Sequence, residues 1–571
     1  MNVQKAYLTE NGERHIVLNI FHKRVKGGLF MKKWLTVLFV AVFAIVLSAC
    51  TANKEAGKEP SSADGGGDAK EKVLYLNNGS EPTSFDPSVG FNAVSWNALN
   101  NLMEGLVRFN DKDQPVEATA EKFVVSDDGL TYTFTIRDGA KWSNGDAVTA
   151  GDFVFGWLHM LDPETASPAA FLAYPIDGAE AYNTGKGKAE EVAIKAIDDK
   201  TFEVKLNAPT DAFLSIITNP SFFPVNEKVA TENPKWFAEA DSFVGNGPFN
   251  LSEWEHDVKF VFKKNDQYWD KDTVKLDKVD WAMVNDTNTE YQMYKSDELD
   301  VSSVPAELAE QLKNDKELHV EDQAGIYFYR FNVEKKPFTN KKIRQAFAKA
   351  VDQENIVQYV TKNGEKAAHG FVTYGFKGPD GKEFRESVGD LVSLDKEEAK
   401  KLLKEGMKEE GWSKLPKVTL TYSTSPEHQN IAVALQSQIK DALGVDAKLQ
   451  NVEASVFLAE QKELKHQTSR SSFLYDYADP INAIESFITD SPMNRTAWSN
   501  KKFDSLIKSA KQETDATKRW ETLQEAERVL IDEAPIVPLY FYNQVSLEKS
   551  NVSGIVRHPV GYTELKWADK N

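Results

Sequence analysis

The chain has 571 residues, of which 27% are charged, with a formal net charge of −19 at neutral pH and one cysteine. The acidic excess argues against nucleic acid or anionic lipid as a partner, and a single cysteine excludes an intramolecular disulfide. Stability must therefore come from a large buried core, and the length suggests two or three domains.

Residues 1–30 are polar and mixed in charge, unlike a signal peptide, whereas Met31-Lys32-Lys33 makes a suitable start. Lys26-Gly27-Gly28 can be encoded by a purine-rich run of the ribosome-binding type, so residues 1–30 read as a spurious N-terminal extension. Lys-Gly-Gly codons lacking that run would remove the argument.

From Lys32-Lys33 the chain enters an apolar run, Trp34–Leu47, followed by Leu47-Ser48-Ala49-Cys50. A short cationic head, about fourteen apolar residues and small residues before a cut site make residues 31–49 a signal peptide. The run falls short of the ~20 residues that a spanning helix needs. Leu-Ser-Ala-Cys also resembles the lipobox of bacterial lipoproteins. That likeness implies cleavage before Cys50, a diacylglycerol on its thiol and acylation, such as palmitate, on the new amino terminus. Without the seven basic and two acidic residues before Cys50, the totals of 68 and 87 leave a net charge of −24. No other apolar run is long enough to span, so the lipid alone would hold the body at the membrane; stable anchoring takes two chains, or one plus a second signal.

Residues 50–72 read as a lipidated linker. Beyond Cys50 the segment lacks large apolar side chains, and it would form a flexible tether reaching about 25 Å. Val73–Leu76 is a short apolar strand. In Leu130–Arg137, Tyr132, Phe134 and Ile136 alternate with threonines, which predicts a half-buried strand. Turns at Asp138-Gly139 and Ser143-Asn144-Gly145-Asp146 lead to Thr149, which can cap a helix with Asp152 three residues on. Further along, Val418–Tyr422 and Val445–Leu449 predict strands around a helix, Glu427–Leu443, closed by Gly444. Phe503–Ala510 and Lys518–Ile531 predict amphipathic helices, with Glu527 breaking the apolar stripe of the second. Alternating elements imply an α/β protein with helix-covered sheets. No internal repeat is evident.

Arg137-Asp138-Gly139-Ala140-Lys141-Trp142-Ser143-Asn144-Gly145-Asp146, followed by Val148-Thr149-Ala150 and Asp152-Phe153-Val154, resembles the signature of the bacterial family 5 extracellular solute-binding proteins, the substrate-binding proteins of oligopeptide permeases. The likeness continues through Asn77–Pro87, Lys195–Pro209, Gly245–Leu251, Tyr268-Trp269, Lys336–Ala346 and Ala534–Tyr542, in order along the chain. It implies the two-lobed periplasmic-binding-protein fold (type II, cluster C) with an extra domain, the ligand enclosed between hinged lobes. Matched to this chain, the core of lobe one comprises 73–103, 227–324 and 544–571, the extra domain 104–226, and lobe two 325–543.

Nothing in the residues supports an enzyme or a cofactor. The histidines have no metal-ligand spacing, there is no GxSxG or Walker A loop, and Asp111-Lys112-Asp113 lacks the glycine and terminal glutamate of an EF-hand. The informative stretch is Arg470–Pro480. The family typically reads Arg-x-Gly-Trp-x-x-Asp-Tyr there, and Arg470, Asp476 and Tyr477 match while Ser472 and Phe473 depart from Gly-Trp. The resemblance implies that Asp476 pairs with a peptide's α-ammonium and that Arg470 and His428 meet its carboxylate. Backbone around Ser472, Phe473 and Leu474 would receive the peptide as an added strand. A second carboxylate-binding arginine of short-peptide binders falls on Gln461, and pocket aromatics fall on Ala169, Gln323 and Ala454, while Tyr542 is kept. Smaller residues there imply a wider cavity and peptides longer than three to five residues.

The implied function is a monomeric, lipid-anchored receptor on the extracellular face of a Gram-positive-type cell. It would capture oligopeptides and deliver them to the membrane permease subunits and ATPases of an ABC importer. Other ligands of the same scaffold (a dipeptide, a nickel chelate, an oligosaccharide), a surface hydrolase and a peptide sensor stay open.

Overall fold

The computed structural model describes residues 71–489 and 491–571. The N-terminal extension, the signal peptide, Cys50 and all but the last two residues of the linker lie outside the described residues. The rest forms three main sheets covered by helices.

The first sheet has four strands in the order Val73–Asn77, Lys278–Ala282, Lys259–Lys264, Phe249–Glu255; the first pair is parallel and the others antiparallel. The second is an antiparallel sheet of Ala120–Val125, Thr131–Ile136, Thr201–Lys205 and Ile194–Asp198. The alternation in Thr131–Ile136 buries Tyr132, Phe134 and Ile136 against Phe153, Trp157, Phe202 and Phe213. Thr149 and Asp152 cap the helix Ala150–Leu161 reciprocally. Asp152 also takes Trp142 Nε1 at 3.2 Å and the Glu227 amide at 3.2 Å, so the motif residues knit strand, turn and helix together. Tyr268 and Trp269 both donate to buried Glu104, which pairs with Arg108 at 2.9 Å. Arg108 in turn pairs with Glu564, tying the C-terminal segment to this lobe.

The third sheet carries the site. Its main order is Val301–Ser303, Ile536–Glu548, Leu318–Phe331, Thr468–Leu474, Thr419–Ser423, Lys448–Val452. Leu318–Phe331 and Ile536–Glu548 are two long crossing strands. They pair over Leu318–Asp322, lose register, and pair again over Ile326–Arg330. At the break Gly325 is required by close approach: a Cβ there would meet Leu474 Cδ2 at 2.6 Å and Tyr542 Cδ2 at 2.9 Å.

One strand boundary shifts. The strand expected at Val445–Leu449 forms at Lys448–Val452, because parallel pairing with Thr419–Ser423 selects the register. Glu527, which interrupts the apolar stripe of its helix, lies on that stripe's buried face. It is fully buried, accepting the amides of Phe371 (2.6 Å) and Val372 (2.8 Å) and pairing with Arg385 Nη1 at 2.5 Å. The helix over 427–443 forms as Pro426–Leu443, capped by Ser425 and ended by Gly444 at φ 71°.

Candidate functional site

Thr468–Leu474 lies antiparallel to the first crossing strand, with Tyr329 opposite Arg470, Tyr327 opposite Ser472 and Gly325 opposite Leu474. Ser469 and Ser471 point inward and are buried, whereas Ser472 is exposed and Leu474 is 54% exposed to the groove. On its other side this strand pairs with Thr419–Ser423 only at Thr468 and Ser469. Beyond that its edge is open.

The direction of the open backbone groups follows from one contact. Gln461 Nε2 donates to the Arg470 carbonyl at 3.0 Å, from the side away from the crossing strand. In an antiparallel pair, alternate residues turn both backbone groups to the same side. The N–H and C=O of Ser472, and those of Leu474, therefore face the open edge as well. Tyr475 is out of phase with them and donates to the Ala324 carbonyl at 3.0 Å. Ser472 and Leu474 thus offer a second strand its hydrogen bonds.

At one end of this edge stands a cationic and aromatic cluster. Arg470 donates through Nε (3.1 Å) and Nη2 (2.8 Å) to Ser423 Oγ and stands over the Phe457 ring. Among the described residues it has no carboxylate partner within ion-pair distance. His428 Nδ1 meets Tyr327 OH at 3.2 Å, and Tyr327 stacks on Tyr540, whose hydroxyl donates to Glu427 at 2.9 Å. Burial, then the Arg470 charge, hold the His428 pKa below its usual value, so the imidazole is neutral at pH 7. Burial pushes Tyr542 up to about 12, and the Ser472 hydroxyl bonds to its phenol. Arg470, His428, Ser472 and Tyr542 are thus brought together.

At the other end Asp476 follows the strand. Its amide donates to Asn482 Oδ1 at 2.9 Å and its carbonyl accepts Tyr562 OH at 3.5 Å. Its carboxylate is partly buried and pairs with no cation among the described residues. Burial, with added repulsion from Glu485, pushes its pKa up to about 6 against the opposing Asn482 bond. Asp479, three residues on, is different: Arg519 grips it with two bonds of 2.9 and 3.0 Å. One acid is neutralised within the fold, and the other has no cation beside it among the described residues. A cavity of about 370 Å³ begins beside Asn482, lined by Phe171, Pro209 and Asp211 on one side and by Tyr477 and Glu485, far along the chain, on the other.

Of the remaining expected residues, Phe473, Gln461 and Ala169 present no side chain to this face. Phe473 points to the opposite side, edge-on to Tyr475 at 5.5 Å. Gln461 is 3% exposed; its amide also bonds Ser469 Oγ at 3.0 Å and accepts Arg495 Nη1 at 3.0 Å, so it presents no surface to the groove. Ala169 is fully buried in lobe one, Gln323 is partly buried in the break of the crossing strand, and Ala454 is exposed at a helix start. Tyr327 and Tyr540 were missed from sequence. Tyr327 lies opposite Ser472 and Tyr540 lies opposite Tyr327 on the next strand, so their signal is visible only once the pairing is known.

The model for "Bacterial extracellular solute-binding proteins, family 5 Middle" matches residues 114–495. The chain is 60% identical over 528 residues to the dipeptide-binding protein DppE of Bacillus subtilis, covering 92% of this chain and 97% of that protein. It is 42% identical over 542 residues to the oligopeptide-binding protein OppA of Bacillus subtilis, covering 93% and 98%. The structure of Listeria monocytogenes OppA bound to peptide superposes with a TM-score of 0.70 at 33% identity, covering 88% of this chain and 100% of that one.

Proposed function

The chain belongs to the bacterial extracellular solute-binding proteins of family 5, and on that basis we propose that it captures peptides by their backbone and amino terminus for an ABC importer. Proteins of this family bind solutes and are not enzymes. The observation that carries the peptide reading is the pairing of an open strand edge with an uncompensated carboxylate at its end. An α-ammonium is the one cation that every unblocked peptide has, and Asp476 lacks a cation. The edge supplies hydrogen bonds that do not depend on side chains, and the cavity beside Asn482 has room for a first side chain.

From Arg470 to Asp476 the chain spans at most roughly 20 Å, about six extended residues. That is longer than a dipeptide covers, and it supports oligopeptides whose carboxylate reaches Arg470 and His428. The name of the 60% identical relative favours a dipeptide instead. Calorimetry with peptides of about two to ten residues separates the two: affinity should rise with length beyond two. Tightest binding by dipeptides would overturn the length reading. Native mass spectrometry of the purified protein should show intact peptides; recovery of cut products would point to a hydrolase.

The anchor is the second part of the proposal. Cys50 carries lipid and holds the receptor on the outer face of the cell membrane. Labelling cells with a fatty acid should tag the protein, and Cys50→Ser should abolish the tag. An acylated, membrane-bound Cys50→Ser protein would defeat the assignment.

A further inference from the structure

Behind the site strand, on the face turned away from the groove, two arginines share a cavity that no acid lines among the described residues. Arg330 points from the first crossing strand into the interior of lobe two and is 3% exposed. Its Nε donates to Ser471 Oγ at 2.9 Å and its Nη1 to the Met493 carbonyl at 2.9 Å, and the guanidinium lies over the rings of Phe328 (5.0 Å) and Phe487 (5.7 Å). Arg495 is partly buried; its Nη1 donates to Gln461 Oε1 at 3.0 Å, while its Nε is buried without a partner. Both line one cavity of about 10 Å³ together with Gln461, Ser469 and His466. His466 Nε2 is likewise buried without a hydrogen bond. Among the described residues no carboxylate pairs with Arg330 or Arg495; Glu460 approaches only His466, at 3.7 Å.

Two like charges in one desolvated cavity are costly unless a counter-ion offsets them. Burial, then the Arg495 charge, pushes the Arg330 pKa down to about 9. Ser469 Oγ already accepts Gln461 Nε2 at 3.0 Å, which leaves its O–H free to donate. The Arg495 Nε–H and the Ser469 O–H are donors with spare capacity, whereas burial lowers the His466 pKa and an imidazole kept neutral with its proton on Nδ1 presents Nε2 as an acceptor. The volume admits one water-sized species and excludes carboxylate or phosphate groups. Water would satisfy donors but leave both charges uncompensated.

We propose that this cavity binds one small monovalent anion of the size of chloride, held between Arg330 and Arg495 with the Ser469 hydroxyl. The site is independent of the peptide reading, since it lies on the other face of the sheet. An anion there would neutralise the core behind Ser469 and Ser471 and so stiffen the strand that carries Arg470 and Ser472.

Melting the mature protein in sodium chloride and in sodium gluconate at equal ionic strength tests this, gluconate being too large to enter. Chloride should raise Tm by about 1–3 °C with saturation, and Arg495→Gln should lose the difference. Arg330→Met, which removes the buried charge outright, should lose it as well and be at least as stable as wild type in gluconate. In crystals soaked in bromide, an anomalous peak should lie between the two guanidinium groups. Equal melting in both salts, or a site holding water with no anomalous signal, would overturn the proposal.

Discussion

Asp476→Asn is expected to weaken peptide binding by roughly 2–5 kcal/mol, about thirtyfold or more, because it leaves a largely desolvated ammonium without its counter-charge. N-acetylation of the peptide should cost wild type as much, and should cost the variant little further. The ligand-free protein should respond in the opposite direction. The Asp476 pKa is raised from 3.8 to about 6, so the folded state resists losing this proton. Charging the group thus disfavours folding by about 3 kcal/mol at pH 7. That penalty is absent below about pH 4, grows as pH rises to about 6, and is constant above. Asp476→Asn should therefore melt higher than wild type at pH 7 and alike at pH 4. Binding needs the carboxylate, so wild-type affinity should fall by up to tenfold per pH unit below about 6. It should fall again above about 8, where the peptide amine loses its proton. Calorimetry showing acetylated and free peptides binding alike would remove Asp476 from the site.

Glu527→Gln should destabilise lobe two by about 3–5 kcal/mol, the cost of stranding one partner of a buried ion pair. Arg385 is 4% exposed, donates to Glu527 at 2.5 Å and to the Gly389 carbonyl at 2.8 Å, and lies so close to Gly370 that a Cβ there would clash with it. The double variant Glu527→Met with Arg385→Met should recover much of the loss, since apolar side chains carry no desolvation penalty. Urea unfolding checks both. A Glu527→Gln protein as stable as wild type would mean that the two amides of Phe371 and Val372, rather than the charge, hold the carboxylate.

Much of the candidate site was legible because it is local. Arg470, Ser472, Leu474 and Asp476 sit on one strand and its exit, so their order in the sequence is their order in space. His428 was legible for a related reason: it lies in the first turn of a helix whose cap, Ser425, and end, Gly444, are written locally. Gln461 and Ala169 were legible as positions and misleading as surfaces, because a side chain's direction depends on neighbours far along the chain. Tyr327, 101 residues from His428, could not be found without the pairing.

The sequence by itself determined the elements whose stabilising contacts fall within a few residues. The reciprocal cap of Thr149 and Asp152, the alternating strand Thr131–Ile136 and the amphipathic helices Lys501–Gln512 and Ala516–Glu533 all belong to this class. Only the tertiary structure decided which charges are neutralised. Asp479 finds Arg519 40 residues away, Glu527 finds Arg385 142 residues away, and Asp476 and Arg470 find no partner of opposite charge among the described residues. Short-range periodicity reports burial of a face, whereas the state of a charge depends on the few groups within about 4 Å of it, and those are brought there by sheet register and helix packing.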